Sequence, residues 1–232
     1  MHRLEAEWLG AQMARLESRE LFPLLNVGSS THHYRTVEQP YIDSSIFQPL
    51  AKRGGKVWHA DAKAAQGVDL IGDLLDPAFQ AELARLAPRS VMVCNLFEHV
   101  TERQVICDFL LRLIPVGGYI IVTGPHDYPY HEDPIDTMFR PTVQEMAAHF
   151  DGCCEIVDGA IVDSGNWRQW NNYERGRSLP RTLVRLMLPF YRPRKWRELA
   201  RRAWIFKHIS AFGVVLRKTR KPEDSPPSDQ AR

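Results

Sequence analysis

Short apolar runs alternate with helix-periodic stretches along most of this chain, and that alternation constrains the fold more than any single residue. Residues 22–27 run straight into Gly28-Ser29-Ser30, and residues 56–59 end in Ala60-Asp61. Residues 90–95 precede a helix expected from about Thr101 to Leu113, and residues 119–123 follow the turn Pro115-Val116-Gly117-Gly118. These runs are short and rich in branched or aromatic side chains, which suits strands. Further helices are expected at 43–53, where Pro49 should kink the chain, at 77–86, and at 141–150 with Pro141 in the first turn. Leu4, Trp8, Leu9, Met13 and Leu16 give a leading amphipathic helix, slightly weakened by Gly10. Residues 155–162 and 209–216 predict a closing pair of strands. The expected fold class is α/β: a Rossmann-like, mostly parallel sheet with helices on both faces and an antiparallel last strand pair. Such sheets bind ligands beyond the carboxyl ends of the strands where strand order reverses, so the loops after these strands should share one rim.

With 232 residues, 44% hydrophobic and 25% charged, the chain is expected to form one domain over 1–217. Residues 218–232, with Pro222, Pro226 and Pro227 among charges, read as a disordered tail. A net charge of +2 gives no global case for nucleic acid. Cys94, Cys107, Cys153 and Cys154 lack metal-ligand spacing, which points to a reduced, cytoplasmic compartment. Glu5, Glu7 and Glu17 among the first apolar residues argue against a signal peptide or a membrane span.

Leu24-Leu25-Asn26-Val27-Gly28-Ser29-Ser30 is an apolar strand entering a tight turn. Asp61 ends the second strand, Asp73 lies in Val68-Asp69-Leu70-Ile71-Gly72-Asp73-Leu74, and Asn95-Leu96-Phe97-Glu98-His99-Val100 follows the third. With Leu113-Ile114-Pro115-Val116-Gly117-Gly118-Tyr119, these segments resemble, in order, the motifs of class I S-adenosylmethionine-dependent methyltransferases of the methyltransferase-11-like group. The resemblance runs from about Leu24 to Val122 and more weakly to Leu216. It implies S-adenosylmethionine as cofactor, with Asn26, Gly28 and Ser30 at its amino-acid part, Asp61 on the ribose hydroxyls, Asp73 at the adenine amino group and Asn95 on the same rim. Asn26 stands where the family has an acid, and Ser30 where it has a second glycine. The stretch from His131 to Thr142 is similar to one in members of that group associated with cell-surface polysaccharide synthesis.

Methyl transfer to a hydroxyl needs a proton acceptor, and His131 and His99 are the candidates on the rim, His131 the better placed. A saccharide or lipid-linked hydroxyl is the expected acceptor. His99 as a helix-entry residue, and Asp61 and Asp73 as loop or cap residues, are the plain structural alternatives. His126, His131, Asp133 and Asp136 carry metal-ligating atoms, but Pro125, Pro129 and Pro134 leave no fixed ligand spacing; no metal is expected, and Asp136 should pair with Arg140. Residues 179–207 carry nine basic residues against the single acid Glu198, interleaved with Phe190, Trp196, Trp204 and Phe206. They read equally as a solvated lid or as amphipathic helices for an anionic membrane, which would place the protein peripherally at an inner membrane surface. A non-catalytic methyltransferase-like protein that binds membrane or a partner enzyme is the competing expectation, because of Asn26 and Ser30.

Overall fold

A computed structural model describes residues 1–131, 135–166 and 208–222. Its seven strands are β1 (Leu24–Val27), β2 (Val57–Asp61), β3 (Leu70–Ile71), β4 (Ser90–Cys94), β5 (Tyr119–Asp127), β6 (Cys154–Asn166) and β7 (His208–Lys218). They form one sheet in the order β3-β2-β1-β4-β5-β7-β6. Neighbours among β1 to β5 are parallel, and β7 is antiparallel to both β5 and β6. The sheet is thus the mostly parallel one that the alternation implies, closed by an antiparallel pair.

Side chains alternate across the sheet and both faces are covered. Leu25, Val27, Val91, Val93, Ile120, Val122, Phe212 and Val214 point to one face. There they meet Phe79 and Leu83 of α5 (Pro77–Arg85), Ile106 and Leu110 of α6 (Arg103–Leu113), and Met146 of α7 (Val143–Ala148). Leu24, Met92, Tyr119, Ile121 and Val215 point to the other. That face packs on Leu9 and Met13 of α1 (Arg3–Arg15) and on Ile42, Ile46 and Leu50. Each such side chain contributes roughly 1.5–3 kcal/mol by leaving water.

Local chemistry sets the helix starts. Asp76 accepts the Ala78 N–H at 2.9 Å ahead of Pro77, which begins α5. Thr142 and Glu145 exchange hydrogen bonds at 2.8 and 3.2 Å, so Thr142 is the cap of α7 and Pro141 stands before the helix instead of in its first turn. After the four-residue α2 (Ser18–Leu21) and β1, the helix expected at 43–53 proves longer and irregular. Wide π-type turns at Tyr34–Glu38 and Asp43–Phe47 flank α3 (Pro40–Ile42), and α4 (Gln48–Lys52) follows with Pro49 in its first turn. Pro49 has no N–H for the Ser45 carbonyl four residues back. Gly10 of α1 lies directly against that carbonyl, where any Cβ would collide. Gly10 therefore serves the close approach of two helical segments instead of weakening one.

Strand β7 continues through Lys218, one residue past the expected boundary, and Lys218 is buried. Its Nζ donates to the carbonyls of Leu111 and Ile114 at 2.6 and 2.8 Å, at the C-terminal end of α6. Thr219 and Arg220 follow with backbone bonds to the Cys153 carbonyl at 2.8 and 3.3 Å, so residues 218–220 are held where a tail was expected. The basic stretch 179–207 lies outside the described residues. Among the described residues no helix is long and apolar enough to cross a membrane.

Candidate functional site

Strand order reverses between β1 and β4, and a cleft of about 790 Å³ opens beyond their carboxyl ends. Gly28, Ser30, Asp61, Asp73 and Asn95 line it, together with His99 and His131. The rim anticipated from the sequence is a single site.

The loop after β1 takes its shape from two left-handed residues, Gly28 at φ 69° and Ser30 at φ 54°. Glycine adopts this conformation freely, whereas a side chain makes it cost roughly 1–2 kcal/mol. Ser30 thus holds a backbone shape that glycine takes more readily, and neighbours fix it there. Its N–H donates to Asp61 Oδ2 at 2.7 Å, and the Arg35 guanidinium donates to the carbonyls of Ser29 and Ser30 at 2.7 Å each and to that of Gly67 at 2.8 Å. Arg35 is buried. Its task depends on three carbonyls that no local pattern brings together, so the sequence alone does not single it out.

Asp61 also accepts the Lys63 N–H through Oδ1 at 2.9 Å. A carboxylate offers about four lone-pair positions, so each oxygen keeps one for a ligand. Asp73 forms a short turn with the Leu75 N–H through Oδ1 at 2.9 Å and keeps Oδ2. The Asn26 amide lies 3.0 Å from His59 Nδ1. An amide N–H directed at Nδ1 requires a lone pair there, hence a neutral ring. Burial first, then the charge of Arg35, bring the His59 pKa down to about 4.

Asn95 is also left-handed, at φ 51°, and its Nδ2 donates to Glu5 Oε1 at 2.8 Å. The same oxygen accepts from Thr123 Oγ1 at 2.6 Å, and Glu5 Oε2 accepts the His2 N–H at 3.0 Å. Glu5 is 1% exposed, on α1, and lines the cleft. It was noticed in the sequence only as a charge unsuited to a signal peptide. The missed signal is its spacing: Glu5, Leu9 and Met13 stand four apart, which puts a carboxylate on the buried stripe.

The other end of the cleft is built from η-turn and loop residues. Glu98, 2% exposed, has Oε1 3.7 Å from His99 Nε2 and no hydrogen-bond partner for that oxygen. Burial pushes its carboxyl above the ordinary range. His99 Nδ1 is 2.6 Å from the Ile135 carbonyl, so Nδ1 carries a proton and donates it there, and Nε2 faces Glu98. The His131 ring meets His99 and Tyr128 edge-on, with centroids 5.1 and 5.2 Å away. Its Nδ1 lies 3.3 Å from Asp136 Oδ2 without hydrogen-bond geometry, and burial lowers its pKa against the pull of Asp136. Asp136 pairs with Arg140 at 2.6 Å. Burial opposes its charge, but Arg140 and the N–H groups of His131 and Met138 outweigh this and hold its pKa low. His126 points elsewhere, with Nδ1 2.8 Å from the Pro141 carbonyl. Glu98 and Tyr128 are cleft residues that motif reading passed over.

No protein-family model matches the sequence, and no curated protein matches it. Solved structures do match by shape. Coclaurine N-methyltransferase, bound to N-methylheliamine and SAH, aligns over 93% of this chain and 70% of its own at 13% identity with a TM-score of 0.56. An Anabaena variabilis SAM-dependent methyltransferase aligns over 90% and 82% at 11% identity and a TM-score of 0.52. A putative sarcosine dimethylglycine methyltransferase from Galdieria sulphuraria aligns over 94% and 85% at 12% identity and a TM-score of 0.50. The chain has the fold of class I S-adenosylmethionine-dependent methyltransferases.

Proposed function

We propose that the protein transfers a methyl group from S-adenosylmethionine to a hydroxyl of a saccharide or lipid-linked acceptor. One observation carries the cofactor assignment: Gly28 and Ser30 both hold the left-handed turn that a bound cofactor's backbone cradle needs, in a cleft of suitable size. The residues present fit the group. Asn26 Oδ1 and the Gly28 carbonyl would hold its ammonium, the spare lone pairs of Asp61 its ribose hydroxyls, and Asp73 its adenine amino group beside Leu74 and Phe79. Asn95, fixed by Glu5, would form the wall between cofactor and acceptor. The cofactor supplies an activated methyl group with a good leaving group. The chain contributes position, exclusion of water and control of the acceptor proton. His131 and His99 are the groups placed to draw that proton off.

Titration of S-adenosylhomocysteine by calorimetry into wild type and Asp61→Ala tests this. The lost hydroxyl contacts should weaken binding by roughly 1.5–3 kcal/mol per charge-assisted bond. Equal affinities would remove Asp61 from the ribose role. No binding by wild type would favour the non-catalytic reading that Asn26 first suggested.

The acceptor is proposed to be membrane-held, because residues 179–207 carry basic and aromatic residues suited to an anionic surface. The protein would then work at the cytoplasmic face of a membrane. Full-length protein should sediment with anionic vesicles at low salt and release at high salt, since screening shortens the reach of those charges to about 8 Å at physiological strength. Protein left in the supernatant at low salt would point to a soluble acceptor.

A further inference from the structure

The cleft's acceptor end holds more ligating atoms than proton transfer alone requires. A sugar hydroxyl gives up its proton far more reluctantly than an imidazolium, whose ordinary pKa is about 6.5. A cation on the hydroxyl oxygen would narrow that gap. Around the same point stand Glu98, His99 and His131, each offering one nitrogen or oxygen within 4.8 Å of the others.

Three features make this a ligand set. First, Glu98 Oε1 is buried without a hydrogen-bond partner and faces His99 Nε2 at 3.7 Å. The gap between these two atoms is wider than a hydrogen bond and of a size that a bridging cation fits. Second, His99 is oriented as metal-ligating histidines are, with Nδ1–H on a backbone carbonyl and Nε2 free. Third, His131 lies against Asp136, itself fixed by Arg140, so a carboxylate stands behind the imidazole.

We infer that Glu98, His99 and His131 bind one first-row divalent cation, such as zinc, cobalt or manganese, beside the acceptor oxygen. Two imidazoles and one carboxylate favour these ions over magnesium and calcium, which prefer all-oxygen shells. At bond lengths of about 2.1 Å, a tetrahedral ion holds its ligands about 3.4 Å apart. The Glu98–His99 pair is already near that spacing, and the His131 ligand atom lies within 4.8 Å of both. Three protein ligands leave a coordination position open for the acceptor oxygen. The inference rests on the hydroxyl-acceptor reading and deepens it. His131 and His99 would hold an ion that lowers the pKa of the acceptor hydroxyl, and the released proton would pass to water in the open cleft. It also departs from the expectation of no metal drawn from the sequence; of the residues weighed there, His126 and Asp136 are engaged elsewhere.

Untagged full-length protein, stripped with a chelator, is titrated with Co²⁺ by calorimetry and visible absorption, without cofactor. One Co²⁺ per chain is expected, with ligand-field bands of a low-symmetry nitrogen–oxygen site. Glu98→Gln and His131→Ala should each weaken binding at least about tenfold, and His126→Ala should leave it unchanged. Thermal melts confirm that each variant is folded; His131 lies in a loop, so its variant remains informative if Glu98→Gln is unstable. No Co²⁺ uptake at millimolar concentration, or equal affinity in wild type and both ligand variants, overturns the site. S-adenosylhomocysteine binding to the metal-free protein, measured in parallel, reports on the methyltransferase reading independently.

Discussion

The two ends of the cleft differ in how completely their polar groups are engaged. At the cofactor end, Ser30, Asp61, Asp73 and Asn95 each hold a hydrogen bond within the protein. At the acceptor end, Glu98 Oε1 and His131 Nδ1 are buried with none. An engaged network is rigid before the ligand arrives, so binding there costs little reorganisation. An unengaged buried carboxylate costs stability until something fills the gap. The cofactor end is therefore preorganised, and the acceptor end stores an unmet demand that a ligand satisfies.

The sharpest test of this contrast is His131→Ala. Turnover should fall about 10²–10⁴-fold, in the range of a lost proton-handling group, while S-adenosylhomocysteine affinity stays within about twofold. A matching loss of cofactor affinity would show that the two ends are one network. Arg35→Met should do the reverse. Three carbonyls lose a charged donor and the Ser30 turn loses its clamp, at a cost of about 3 kcal/mol or more in stability. Urea unfolding measures that loss, and calorimetry should show weakened cofactor binding with it. Unchanged cofactor affinity would mean that Asp61 alone holds the turn.

A smaller effect separates the ends by pH. His59 has a folded pKa of about 4, below its unfolded value of about 6.5, so between these values the unfolded chain binds more protons. Stability should fall as pH drops from about 6.5 to about 4 and be insensitive to this group above that window. The full shift would correspond to about 3 kcal/mol, and partial exposure of the ring reduces it to about 2. Denaturation at pH 7 and pH 5 in wild type and His59→Gln isolates the contribution. Equal pH dependence in both proteins would show that Asn26 does not need a neutral partner.

The same contrast explains what the sequence could tell. The loops proposed to hold the cofactor were legible because each follows a strand, where apolar runs and Gly28 mark the position. Local periodicity anticipated the strands themselves, and their alternation with helices implied the parallel sheet. Strand β3, two residues long, is below what periodicity can register. Glu5, Arg35 and Glu98 escaped because their roles rest on partners far away in sequence or on a missing partner. Gly10 was misjudged for a related reason: backbone proximity in space overrides the residue's own preference.

The Glu5 carboxylate has a kinetic consequence. It joins Asn95, 90 residues away, and Thr123, 118 residues away, so the cleft floor exists only after the first helix has met β4 and β5. Contacts that close such long stretches of chain form late, because their entropic cost precedes their reward. During synthesis α1 must wait, with its buried carboxylate still in water, until the centre of the sheet has emerged. A ligand that recognises the completed floor then binds only the finished fold, and its presence draws the last step of folding forward.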